Sequence, residues 1–199
     1  MDVLSYLLGK SSSGGGGGGS SLDWSAIGYS DTPQSIIADY NYSKDIYDNW
    51  DSSQTSLSSK FNGNKNLVYM PLVDTSNATN MNGMFGYCSN LKEIPSIDTS
   101  KVVNMGAMFG SCSNLTTVSV LNMKSIEGAY SIQGMFSSCP KLTDTSLDNI
   151  LQTCIGATLY TGTKTLVRLG IDSTNYPATR IEALPHYQDF IDAGWTIGY

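Results

Sequence analysis

Three times in this chain a Met-Phe pair is followed, three residues after the Phe, by a Cys. Met84-Phe85-Gly86-Tyr87-Cys88-Ser89-Asn90-Leu91 returns as Met108-Phe109-Gly110-Ser111-Cys112-Ser113-Asn114-Leu115. It returns more loosely as Met135-Phe136-Ser137-Ser138-Cys139-Pro140-Lys141-Leu142. The spacings are 24 and 27 residues. A unit of that length cannot enclose a core, so each must bury its apolar face against its neighbours. The chain therefore reads as an α/β repeat solenoid, and the functional question moves from a catalytic pocket to a surface.

The repeats occupy about 61–145. Their leucine column is Leu67, Leu91, Leu115 and Leu142. Around it stand short strand candidates at 66–71, 90–95 and 114–118, with apolar residues two or three apart. Asp74-Thr75-Ser76 and Asp98-Thr99-Ser100 recur beside them and suit turn or capping roles better than calcium ligation, since spaced carboxylates are missing. Met81, Met84, Phe85 and Cys88 fall at i, i+3, i+4, i+7, as do Met105, Met108, Phe109 and Cys112, and Ile132, Met135, Phe136 and Cys139. That spacing predicts one short apolar helical face per unit, buried in the core. The three extra residues of the third unit are placed at Glu127-Gly128-Ala129, as an outward bulge.

The ends carry other patterns. Residues 1–10 read as a short amphipathic helix on Val3, Leu4, Leu7 and Leu8, and 11–21 as a Gly/Ser linker with a run of six glycines. This is either an attachment or assembly tail or a disordered terminus. Residues 22–60 form an N-terminal cap: Leu22–Tyr29 extended, a helix start at Pro33 capped by Thr32 or Asp31, and Ile36, Ile37, Tyr40, Tyr47 and Trp50 lining short helices. The C-terminal cap, 146–199, opens on a helix with Leu147, Ile150, Leu151 and Cys154 on one face and Gly156 at its end. Leu166-Val167-Arg168-Leu169 reads as a strand. Helices start at Pro177 and near Pro185, Gly194 stops the second, and 195–199 reads as a short strand.

The unit Asp-Thr-Ser-x-Val-x-Asn-Met-x-x-Met-Phe-x-x-Cys-Ser-Asn-Leu at 98–115 resembles the BspA-like leucine-rich repeats of bacterial surface proteins. Units 74–91 and 98–115 fit well and a third fits in part. The resemblance implies a short, right-handed leucine-rich-repeat solenoid of about four coils with N- and C-terminal caps. It also implies adhesion, host contact or a place among phage tail-associated proteins. The segments 4–10 and 187–199 are similar to phage or prophage structural proteins.

With 14% charged residues and a net charge of −6, the chain lacks the basic patch that nucleic acid or an anionic membrane surface requires. No apolar run reaches the roughly 18 residues of a membrane span. The N-terminus lacks a basic region and an unbroken apolar stretch, so no Sec signal peptide is expected. The expected location is a virion or an extracellular or cell surface. Cys88, Cys112 and Cys139 share one repeat position, with Cys154 apart and no CxxC pairing. Buried thiols are the simplest account, ahead of a disulfide or a metal, and no cofactor is expected.

An enzyme is not expected. The single histidine, His186, lies beside Pro185 with no nucleophile motif near it. Asp144 with Asp148, or Glu182 with Asp189, fit a carboxylate pair by arithmetic but lack flanking aromatics. The six-glycine run lacks the Gly-Lys-Ser/Thr ending of a phosphate loop. The expectation is a binding module whose strand side carries Tyr69, Lys92, Glu93, Thr116, Thr117 and Asp144, with Val68 and Thr143 beside them. That mixture of aromatic, charge and hydroxyl suits a protein or glycan on a cell surface. The alternative is a virion assembly protein that attaches through residues 1–10.

Overall fold

The structure is a computed structural model, and it describes residues 42–43 and 45–198. The expectations for residues 1–10, 11–21 and 22–41 lie outside the described residues.

The repeat units lie on one another in register. Leu57, Ser59, Phe61 and Gly63 donate their N–H groups to Asn80, Asn82, Met84 and Gly86 at 2.7–2.9 Å. Met81, Gly83, Phe85 and Tyr87 donate in the same way to Asn104, Gly106, Met108 and Gly110, and Met105, Ala107, Phe109 and Ser111 to Ser131, Gln133, Met135 and Ser137. Every second amide thus bonds to the next unit. The amides between them close tight turns, as in Met84 to the Met81 carbonyl, Gly86 to Gly83 and Cys88 to Phe85.

The helical face expected at Met81–Cys88 and its two counterparts is therefore corrected. These segments are successive turns, because two residues in each adopt a left-handed backbone. Gly83 and Tyr87 have φ 59° and 59°, Ala107 and Ser111 50° and 63°, Gly134 and Ser138 66° and 58°. A left-handed residue every four positions stops an α-helix and turns alternate amides outward along the stack. The inward set stays the same: Met81, Met84, Phe85 and Cys88 are fully buried, as are Met105, Met108, Phe109 and Cys112.

The strands are shorter than expected. β1 is Glu93–Ile94 and β2 is Thr117–Val118, paired in parallel as Glu93 with Thr117 and Ile94 with Val118. Tyr69 bridges to Glu93, and a second parallel line runs Ser56, Asn80, Asn104. Pro95 follows β1 directly and has no N–H to extend the ladder.

Between these lines lies a column of rings. Phe61, Phe85, Phe109 and Phe136 stack with centroids 5.6, 5.5 and 5.3 Å apart. Such pairs add about 0.5–1.5 kcal/mol each beyond the area they bury. Trp50 roofs the first ring at 6.3 Å and donates its indole N–H to the Asp74 carbonyl at 2.7 Å. The first rung thus lies at 55–63, earlier than the boundary at 61 read from sequence. It escaped notice because Lys60 and Asn64 stand where later units have Met and Cys. At this end of the stack Lys60 is exposed with its ammonium 5.7 Å from the Trp50 ring, and the half-buried Asn64 donates to the Tyr42 hydroxyl.

The other end is closed by three devices. α1, Asp144–Ile155, follows Thr143, whose hydroxyl accepts the Ser146 N–H, and Gly156 sits at its C-cap. Its Ser146, Asn149 and Thr153, at i, i+3, i+7, face the outer edge of β2. Ser146 Oγ accepts the Val118 N–H (3.0 Å) and donates to the Thr116 carbonyl (2.8 Å). Asn149 donates to the Val118 carbonyl, and Thr153 Oγ1 accepts the Leu121 N–H. α2, Leu166–Leu169, replaces the strand expected there. Thr165 caps it by accepting the Arg168 N–H, Leu166 and Leu169 are buried, and Gly170 at φ 89° ends it. Its last carbonyls, Arg168 and Leu169, accept the Gly134 and Phe136 N–H groups of the final rung at 2.8 and 2.6 Å. A helix end has such carbonyls to give, which a strand in this place would not. A Cβ on Gly170 would lie 2.4 Å from the Ser137 backbone, so that approach requires glycine. α3, Ala178–Glu182, and α4, Tyr187–Asp192, complete the cap, with α4 packed on α1. At the C-terminus the expected strand reduces to one bridge, Thr196 to Thr165.

Candidate functional site

The period of 24 puts Tyr69, Glu93 and Thr117 at one phase, and the parallel pairing sets them side by side on three adjacent rungs. All three are half-buried. Their neighbours Val68, Lys92, Thr116 and Thr143 form a second row, joined by Lys92 N–H to Val68 O (3.0 Å), Thr116 to Lys92 (2.9 Å) and Thr143 to Thr116 (3.1 Å). The Lys92 ammonium lies 5.8 Å from the centre of the Tyr69 ring. Thr116 Oγ1 lies 3.0 Å from the Lys92 carbonyl and 3.5 Å from Thr117 Oγ1. Five of the six expected residues thus share one surface strip that offers an aromatic ring, a cation, a carboxylate and two hydroxyls.

Asp144 stands apart. The chain turns into α1 there, and the Asp144 carboxylate takes the Arg180 Nε–H at 2.7 Å. This exposed pair adds little stability. Sequence spacing could not reveal this, because Asp144 keeps the phase of Thr117 across the 27-residue unit while its backbone has already turned into the helix.

The acids and thiols are committed to structure. Asp74 and Asp98 accept the backbone N–H of Ser76 and Ser100 at 2.9 and 2.8 Å, as expected of turn-forming residues. Hydrogen bonds from Ser76 and Ser100 hold both carboxyls below the ordinary value of 3.8. The buried Thr75 and Thr99 hydroxyls donate to the Asp98 and Asn122 carbonyls of the next unit. Cys88, Cys112 and Cys139 each donate S–H to a Phe carbonyl one unit back (Phe61, Phe85, Phe109), all at 3.0 Å. All four cysteines are free and buried. Burial pushes the Cys88 thiol up to about 11 and Cys139 to about 12, so both stay protonated and unreactive at neutral pH.

His186 has a partner that sequence spacing did not reveal. Its Nδ1 lies 2.7 Å from Asp148 Oδ2, and its backbone N–H donates to Oδ1 at 2.9 Å. Gln152 donates to the same carboxylate at 3.2 Å. Asp148 thereby fastens the start of α4 to α1. No hydroxyl or thiol is bonded to His186 among the described residues. Asp144 and Asp148 serve different partners, and Glu182 and Asp189 are both exposed. Among the described residues no three metal-binding side chains cluster, and no helix is long and apolar enough to cross a membrane.

Neither a curated protein nor a solved structure matches the chain. One family model does, over residues 34–150, from within the segment ahead of the first rung to the middle of α1. That span is more than half of the chain, which belongs to the family described as "Mycoplasma protein of unknown function, DUF285".

Proposed function

We propose that this chain is a non-enzymatic binding module of the BspA-like leucine-rich-repeat kind, a right-handed α/β solenoid of about four coils. It presents the strip around Tyr69, Lys92, Glu93, Thr116 and Thr117 to a protein or glycan on a cell surface, from a phage tail or a bacterial surface. The observation that carries this reading is the register of Tyr69, Glu93 and Thr117 across three adjacent rungs. Repetition turns one polar side chain per unit into a continuous strip, and strand rows of stacked repeats are the usual place for an extended ligand. A ring and a carboxylate on neighbouring rungs offer stacking and directed hydrogen bonds together.

The test is a glycan and cell-surface protein array probed with the wild type and the triple variant Tyr69→Ala, Glu93→Ala, Thr117→Ala. A ligand of this strip loses about tenfold or more in affinity, the scale of one lost anchor. Equal binding by a variant with a native circular dichroism spectrum removes the strip from consideration.

A further inference from the structure

We propose that a second site, separate from that strip, binds a carboxylate-bearing saccharide in a cleft at the C-terminal end of the stack. The cleft has a volume of about 380 Å³. Gln133 and Ser137 of the last rung form one side, and Thr163, Thr165, Val167 and Arg168 of the closing cap form the other. A cleft of this size with a few converging polar groups is of small-ligand dimensions.

Arg168 is the single charged residue among those that line it, in a chain of net charge −6. Its guanidinium is held in place: Nε and Nη2 donate to the Ala129 carbonyl at 3.2 and 2.8 Å, and its carbon lies 4.9 Å from the centre of the Tyr130 ring. Those two bonds use two of the five N–H groups of an arginine, and the Tyr160 hydroxyl is a further hydrogen-bond partner of the guanidinium, which leaves two for a ligand. A planar fork fixed by these partners fits a carboxylate with the N–H groups they leave. The hydroxyls of Ser137, Thr163 and Thr165 and the amide of Gln133 both give and accept hydrogen bonds, as sugar hydroxyls do. Tyr130 stands outside the cleft lining, against Arg168; it is 75% exposed, the most exposed large apolar side chain among the described residues, and offers the ring face away from Arg168 to the C–H face of a pyranose that extends from the cleft.

The placement of this ring is itself built. The 24-residue period lengthens to 27 at Glu127-Gly128-Ala129, directly before Tyr130. The cap holds the added residues by their carbonyls. Thr161 donates both its N–H and its hydroxyl to Glu127 (3.1 and 2.8 Å), and Tyr160 donates its hydroxyl to Ala129 (3.0 Å). By inter-rung register the place of Tyr130 is held by Val103 one unit back and by Thr79 before it. At the end of the stack this register position thus carries an aromatic ring, and the carbonyl of the inserted Ala129 holds the cap's Arg168 beside it; insertions in repeat proteins commonly serve the binding face.

The experiment is a titration of the isotope-labelled full chain with D-glucuronate, D-glucose and acetate, followed by amide shifts of Tyr130, Thr163 and Arg168. Saturable shifts are expected with glucuronate, with glucose and acetate each about tenfold weaker. Tyr130→Ala, an exposed change that leaves the core intact, weakens glucuronate about tenfold, and Arg168→Lys does so as well. Absence of saturable shifts, equal affinity for glucose or for acetate, or wild-type affinity in Tyr130→Ala overturns the proposal. Loss of array binding in the triple variant of the strip bears on the first site alone, so the two readings fail separately.

Discussion

At the scale of the residue, eight left-handed positions decide how a unit folds. Ser59, Gly83, Ala107 and Gly134 share one register, and Gly63, Tyr87, Ser111 and Ser138 share the other. Five of these eight are not glycine. A left-handed backbone costs an L-residue about 1–2 kcal/mol, so inter-rung bonding and burial must outweigh it in every unit. Glycine is a signal for such a backbone, but alanine, serine and tyrosine conceal it. The apolar spacing i, i+3, i+4, i+7 is common to a helix and to this chain of turns, so sequence separated core from surface correctly but not turn from helix. Ala107→Gly relieves the penalty at an exposed position and is expected to stabilise the fold by about 1 kcal/mol, less what the freer unfolded chain takes back. Gly83→Ala, at the same register, is expected to destabilise by a similar amount. An added Cβ there meets its nearest neighbour at an ordinary 3.5 Å, so the backbone alone is tested. Urea midpoints at unchanged slope measure both.

At the scale of the element, the closing of edges explains what sequence concealed. The apolar face of α1, Leu147, Ile150, Leu151 and Cys154, was legible from its period and is buried. The polar stripe beside it, Ser146, Asn149 and Thr153, carries no apolar period that marks it for packing. It lies along β2 and satisfies backbone groups that would otherwise form an open strand edge. The segment 166–169 misled because so short an apolar run is shared by a strand and a single helical turn, and the use of its carbonyls by a distant rung is not written locally. Removing the Ser146 hydroxyl leaves the Val118 N–H without its acceptor and takes a donor from the Thr116 carbonyl. Ser146→Ala is expected to cost about 2–3 kcal/mol. The expected result is a lower melting temperature and faster hydrogen exchange at Val118, with Phe85 exchange reduced in protection only by the global loss of stability.

At the scale of the whole molecule, stability passes from rung to rung. The column from Trp50 through Phe136, the thiols on carbonyls one unit back and the alternate-amide ladder are three repeats of contact between the same neighbours. Tyr69, Glu93 and Thr117 were legible as a group because the period fixes their phase. The cleft beside Tyr130 was not, since it needs an insertion, a cap and an arginine from three separate stretches of chain. Through-hydrogen-bond scalar couplings in the labelled protein read the ladder directly. Stacked rungs place correlations from the Phe61, Phe85 and Phe109 amides to the carbonyls of Met84, Met108 and Met135. Correlations from Phe85 to Met81 and from Phe109 to Met105 instead would mean helical units, and would contradict the stack of turns from which both sites are built.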